Sequence, residues 1–226
     1  MHIYGSTLSP FVQRVLLAAR TKGHELVVKP PPGGSTQSEE FAAISPMGRI
    51  PLLEEEDGWR LCESSAILAY LDETLAGPSL LPADPRQRAF ARQIVSLGMC
   101  EVAAGIRPQM VVRLFHYSDS EELAAAGIAQ LEKGLGAIER LVDPAHAWVA
   151  GDAIGIADAL LVPLFTLMTV IDPVAHTARL IADRPKLAAC YDRARQDPIA
   201  GRTVTEMTEG FAKMMARMQA PPVAAA

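Results

Sequence analysis

The sequence has few of the features that would place it in several large functional classes. It has three cysteines, Cys62, Cys100 and Cys190. An odd number with no paired spacing excludes a disulfide framework and points to a reduced, cytoplasmic setting. Its five histidines (His2, His24, His116, His146 and His176) show no ligand spacing among themselves or with cysteine, so no metal site is expected. There is no phosphate-cradling loop, because Pro32-Gly33-Gly34 has no lysine after it. Basic charge is also short: the net charge is −5 and no basic stripe occurs, which argues against a nucleic-acid partner. The run Glu54-Glu55-Glu56-Asp57 is the longest block of like charge and reads as a solvated turn. No basic flank and apolar segment open the chain, and the longest apolar run, Ala157 to Ile171, is interrupted by Asp158 and Pro163. Neither a secretory signal nor a membrane span is expected.

What is present is two regions of different character. Residues 1–77 read as a small α/β unit. A strand at His2–Gly5 leads through a polar turn to a helix over Phe11–Thr21, with Pro10 in its first turn and Gly23 at its end. A strand at Leu26–Lys29, a Pro/Gly loop and a short helix over Ser38–Ile44 follow. Then Ile50–Glu54 and Trp59–Cys62 form a hairpin about Asp57-Gly58, and a helix spans Ser64–Thr74. Pro78, Pro82 and Pro85 mark a linker over 78–85. Residues 86–226 show helical stretches alone: Arg86–His116, Ser120–Val142, Ile156–Val170, Pro173–Ala182, Pro185–Gln196 and Ile199–Met218. Ser118 and Glu121 have capping-box spacing. The tail Ala220–Ala226 reads as disordered. The fold class is thus α/β followed by an all-α bundle.

Three short segments carry candidate chemistry. In Met47-Gly48-Arg49-Ile50-Pro51-Leu52-Leu53-Glu54, a proline opens a strand after a glycine turn. A cis Ile50-Pro51 bond would turn the Ile50 backbone toward an extended peptide ligand; a trans proline would mark a sheet edge. In Glu63-Ser64-Ser65-Ala66-Ile67, acidic and hydroxyl residues enter a helix. They either cap it or grip an amino-acid head group, with helix N–H groups on the carboxylate and Glu63 on the ammonium. In Ser9-Pro10-Phe11-Val12-Gln13-Arg14-Val15, Ser9 either caps the first helix or donates to a bound thiolate.

These segments, in this order, resemble the glutathione transferases, nearest the serine-type tau and zeta classes and the omega class. The resemblance covers the whole chain. It implies a thioredoxin-like domain followed by a helical domain, a homodimer, and glutathione as co-substrate. It implies Ser9 as catalytic hydroxyl, Phe11 as a glutathione-binding residue, Ile50 and Pro51 at the cysteinyl backbone, and Glu63 and Ser64 at the γ-glutamyl end. Gln37 falls near the glycyl end, with Thr36 an almost equal candidate. The omega-type enzymes carry cysteine where Ser9 stands, so serine points to thiolate stabilisation rather than reductive thiol exchange. The helix after the linker would line a pocket for a small hydrophobic electrophile, with Met110, Arg113, Leu114 and Tyr117 as candidates. Gly151-Asp152-Ala153-Ile154-Gly155-Ile156-Ala157-Asp158 resembles the family's folding motif, with Gly155 in place of its capping hydroxyl. A ligand-binding relative without turnover, a zeta-type isomerase and a reductive or ether-cleaving glutathione enzyme are the competing readings.

Overall fold

A computed structural model describes residues 1–219, with side chains described to residue 216; the expectation for Ala220–Ala226 lies outside them. The first strands are short. β1 (His2–Tyr4) pairs in parallel with β2 (Val27–Lys29) and antiparallel with β3 (Leu52–Glu54), which pairs antiparallel with β4 (Arg60–Cys62). The spatial order is β2-β1-β3-β4. Register follows burial: Ile3 lies opposite Val28 and Leu53, and Leu53 opposite Leu61, so the buried Ile3 and Leu53 sit on the same face. The hairpin closes at Gly58 (φ 87°), where the Asp57 carboxylate accepts from the Trp59 N–H.

Two helices cover that face. α1 (Pro10–Thr21) begins at Ser9, whose side chain accepts from the Val12 N–H, and ends before Gly23 (φ 85°). α3 (Ser64–Thr74) follows β4 directly; the short α2 (Glu39–Ala42) is capped by Ser38. Val12, Val15, Leu16, Ile67 and Leu71 join Ile3 and Leu53 in one buried cluster. Leu80, Trp148, Ile154, Val162 and Ala200 extend it, so the sheet side and the helical side share a core.

The helical part begins with α4, one continuous helix from Pro85 to Leu114. Gly98–Ala103 and Met110–Leu114 are wider, π-type turns bracketing Pro108, which has no N–H to donate. By length and composition one 18-residue window of α4 could cross a bilayer, with a mean hydropathy of 1.2. The helix is not an uninterrupted apolar run, because Arg86, Arg88, Arg92, Glu101, Arg107 and Arg113 break it. α5 (Glu121–Leu141) crosses α4 where Gly105 and Gly127 meet, and α6 (Ile156–Val170) is the central buried helix. α5 is capped by Ser120, not by the Ser118/Glu121 box: the Ser120 Oγ accepts from Leu123 N–H, while Ser118 only tightens the preceding turn. Pro173–Ala182 forms two short helices, α7 (Asp172–Ala175) and α8 (Arg179–Ala182), because His176 takes a left-handed conformation (φ 53°) between them. α9 (Pro185–Gln196) and α10 (Ala200–Gln219) complete the order.

Asp158 anchors the start of α6. Its carboxylate accepts from Val149 N–H and Gly155 N–H, each at 3.0 Å. A side chain on residue 155 would meet the Leu80 carbonyl at 2.9 Å, which accounts for glycine there. Burial pushes the Asp158 carboxyl up to about 6, against the backbone N–H bonds that pull it down.

Candidate active site

The Ile50-Pro51 peptide is cis, and Pro51 leads straight into β3. The loop before it is fixed from beneath. The buried Ser45 Oγ accepts from Arg49 N–H and donates to Arg49 C=O, both at 3.2 Å. Gly48 has φ 56° and lies against the Thr36 carbonyl, which a Cβ would meet at 3.2 Å. Neither the N–H nor the C=O of Ile50 has a hydrogen-bond partner among the described residues.

Across from this loop lies the N-terminus of α3. Glu63, its flanking residue, has φ 65° and ψ 110°, a conformation that costs a non-glycine residue about 1–3 kcal/mol. That backbone turns Glu63 to the surface, where its carboxylate has no partner among the described residues, while Ser64 stays buried. Beneath Ser64 sits Arg14 of α1, 1% exposed. Its guanidinium donates to Ser64 Oγ at 3.2 Å and Ser65 Oγ at 3.1 Å and touches the Met99 sulfur at 3.5 Å. No carboxylate lies within salt-bridge distance among the described residues, and its Nε has no partner. Burial alone lowers its pKa to about 10.

Phe11, Ser45, Met47, Arg49, Ile50, Pro51, Cys62, Glu63, Ser64 and Met99 enclose a cavity of about 120 Å³. Cys62 forms part of its wall, and burial raises its thiol pKa more than the Ser45 hydrogen bond lowers it. A second cavity, about 410 Å³, adjoins the first through Phe11, Arg49 and Met99. Its walls are mainly apolar and come from α1, α4 and α6.

The structure therefore gathers five of the residues singled out from the sequence, Phe11, Ile50, Pro51, Glu63 and Ser64, around one cavity. Ser9 stands at the head of α1, beside Pro10 and Phe11 of the cavity walls. Its Oγ accepts from Val12 N–H at 3.4 Å, and its own proton has no acceptor among the described residues. Gln37 is exposed and lies outside both linings, in a turn where its N–H donates to Ser35 Oγ.

Of the four pocket candidates on α4 and beyond, only Met110 lines the second cavity. Arg113 points to another face, paired with Glu121. Leu114 is in the helical core, and Tyr117 is 79% exposed, stacked on Phe115. The second π-type turn, Met110–Leu114, advances the helix by extra residues per turn, so a straight count along an ideal helix misplaces these side chains. Sequence reasoning passed over Arg14 and Met99. The signal for Arg14 was a cation set among Val12, Val15, Leu16 and Leu17 on a helix otherwise buried; Met99 sits in the first π-type turn and carried none.

Comparison with known proteins agrees with this geometry. The glutathione S-transferase N-terminal domain family matches residues 3–79, and the C-terminal domain family residues 121–193. A maleylacetoacetate isomerase of Pseudomonas aeruginosa is 32% identical over 168 residues, 72% of this chain and 79% of that protein. The tau-class glutathione S-transferase of mango, Mangifera indica, superposes with a TM-score of 0.78 at 26% identity, covering 97% of this chain and 98% of that one. A maleylacetoacetate isomerase of Methylobacterium extorquens AM1, solved with bound malonate and GSH, gives 0.74 at 25% identity, over 93% and 99%. The chain belongs to the glutathione S-transferase family.

Proposed function

We propose that the cavity between the cis-proline loop and α3 binds glutathione, and that Ser9 holds its sulfur as a thiolate for attack on a small electrophile in the adjoining apolar cavity. The observation that carries this reading is the convergence of three sets of unsatisfied groups on one cavity: the Ile50 N–H and C=O, the Glu63 carboxylate, and the N-terminus of α3. An extended peptide satisfies the first, and an α-amino acid head group the other two. Glu63 takes the ammonium, and the Ser64 and Ser65 N–H groups take the carboxylate, with the Arg14 charge one hydroxyl away. Residues 1–77 would form the glutathione-binding unit and 86–226 the helical unit supplying the electrophile wall, joined by 78–85. Gln37 or Thr36 would reach the glycyl end. The same reading takes the protein as a homodimer in a reducing compartment, in keeping with three free cysteines.

Ser9 would act as a donor, not as a base. A cysteine-type thiol has a pKa near about 8.5, so only a few per cent is thiolate at neutral pH. A hydrogen bond to the charged form contributes roughly 1.5–3 kcal/mol, and the N-terminus of α1 roughly 0.3–1 kcal/mol more. Together these lower the thiol pKa by roughly one to two units. The second reading, glutathione-dependent isomerisation, uses the same thiolate, adding it to an unsaturated bond and expelling it after rotation. It is favoured by the maleylacetoacetate isomerases among the relatives.

The test is calorimetric binding of glutathione to wild type and Ser9→Ala, with turnover of a chloronitroaromatic electrophile and of a cis-unsaturated diketo acid. Ser9→Ala is expected to bind glutathione within about threefold of wild type and to lose roughly tenfold to a hundredfold in kcat/KM. A wild type that does not bind glutathione refutes the reading.

A further inference from the structure

Ser9 closes a tight turn. Its N–H donates to the Ser6 carbonyl at 2.9 Å, and the Leu8 N–H donates to Ser6 Oγ at 3.3 Å. Both bonds lie within the turn and do not decide where the turn sits on the molecule. A side chain from outside it does. Gln13, in the second turn of α1, donates from Nε2 to the Thr7 carbonyl at 2.9 Å and to Glu206 Oε2 of α10 at 3.1 Å. Among the described residues it is the one side chain beyond the turn that bonds the turn's backbone. Both of its neighbours are acceptors, so the amide nitrogen has to stand between them, one proton to each.

Stability does not account for a glutamine there. Gln13 is fully buried, and its Oε1 has no partner among the described residues. A buried acceptor left unpaired costs stability, and an apolar side chain would avoid that cost. The far anchor is firm. The Glu206 carboxylate accepts from Arg20 at 2.8 and 3.0 Å and from Arg202 Nε at 2.8 Å. Packing joins the same two elements a second time. Leu8, beside Ser9, lies against the buried cluster of the helical side, and a Cβ on Gly210 of α10 would collide with the Leu8 side chain. The turn that carries Ser9 is therefore seated on α10 by one bridging amide and one close contact.

We propose that Gln13 is a positioning residue for the reaction: by tying the Thr7 carbonyl to Glu206 it holds Ser9 where its hydroxyl donates to the bound sulfur. This rests on the reading of Ser9 given above. Gln13 lines neither cavity, so it works through Ser9 and not on the ligand. A hydrogen bond weakens steeply as its angle and distance depart from the ideal, so a small shift of the turn is enough to forfeit thiolate stabilisation.

The test is a pH titration of thiolate absorbance at saturating glutathione in wild type, Gln13→Met, Ser9→Ala and the double variant. Methionine fills a similar volume and donates no hydrogen bond. Gln13→Met is expected to raise the bound thiol pKa by about 0.5–1 unit over wild type, which is roughly threefold to tenfold less thiolate on the acid side of the titration. Its affinity for S-methylglutathione, which has no thiol to ionise, is expected to stay within about twofold of wild type by calorimetry. The double variant is expected to titrate as Ser9→Ala does, because the amide has no route to the sulfur except the hydroxyl. A Gln13→Met complex that titrates like wild type while Ser9→Ala is raised overturns the proposal and leaves the Ser9 reading standing. A double variant raised beyond Ser9→Ala does the same. A Ser9→Ala complex that keeps the wild-type value overturns both. If Gln13→Met does not fold, Gln13→Asn, whose amide is a methylene too short to reach both acceptors, is titrated in its place against the same outcomes.

Discussion

Arg14 is the residue whose placement is hardest to justify by stability. It is a buried cation with no carboxylate within reach among the described residues, held by two serine hydroxyls and a thioether. Burial lowers its pKa from the ordinary guanidinium range to about 10. A base with a lowered folded pKa weakens the fold whenever it is charged, and the penalty is relieved only as pH rises above about 10. At neutral pH that penalty is at most roughly 3 kcal/mol. Arg14→Met is therefore expected to leave the unfolding free energy unchanged or raise it by about 1–3 kcal/mol in denaturant titrations. The same variant should weaken glutathione binding, as a residue retained for its charge would. Loss of stability beyond about 2 kcal/mol would show that its hydrogen bonds to Ser64 and Ser65 outweigh the burial of its charge.

At the scale of elements, two contacts decide whether the helices meet. A Cβ on Gly127 would lie 2.8 Å from the Gly105 carbonyl and from Pro108, so Gly127→Ala must push α5 off α4 and is expected to cost about 1–3 kcal/mol, read as a lowered Tm. The start of α6 depends on Asp158. Asp158→Ala leaves the buried Val149 N–H and the half-buried Gly155 N–H unpaired and is expected to cost about 2–5 kcal/mol. Its folded pKa of about 6 lies above the ordinary 3.8, so the folded form binds the proton more readily. The stability difference between wild type and Asp158→Asn should accordingly shift against wild type, by at most about 3 kcal/mol, as pH rises from 4 to 7. These elements were legible to different degrees. Ser9, Ser38 and the Asp57-Gly58 turn announce their local structure because capping and turn chemistry involve neighbours in sequence. The π-type turns of α4 flank Pro108 and the break at His176 takes a left-handed residue, and the apolar periodicity of the sequence passes through both unchanged.

For the whole molecule, the union of the sheet side and the helical side rests on more than the shared apolar cluster. Glu206 of α10 accepts from Arg20 of α1 at 2.8 Å and from Gln13 at 3.1 Å, and Arg202 joins Glu206 to Glu25. Burial pushes the Glu206 carboxyl up, but its bonds to Gln13, Arg20 and Arg202 outweigh that and hold it below the usual range. Its contribution is present above the unfolded carboxylate pKa and is lost as pH falls through the lower folded value, so Glu206→Gln should narrow the difference between stability at pH 7 and at pH 3. The two-part architecture was readable in the change from strands to helices after Gly77, and the glutathione cavity in three motifs with fixed spacing. The walls of the second cavity were not, because Arg49, Met99 and Leu164 converge from separate elements with no pattern linking them. The central claim, that this fold makes a thiolate of bound glutathione through Ser9, is met most directly by an ultraviolet titration of the thiolate in the glutathione complex. The expected result is a thiol pKa roughly one to two units below that of free glutathione in wild type, returning toward the free value in Ser9→Ala. A wild-type complex that titrates like free glutathione, or a Ser9→Ala complex that keeps the lowered value, contradicts it.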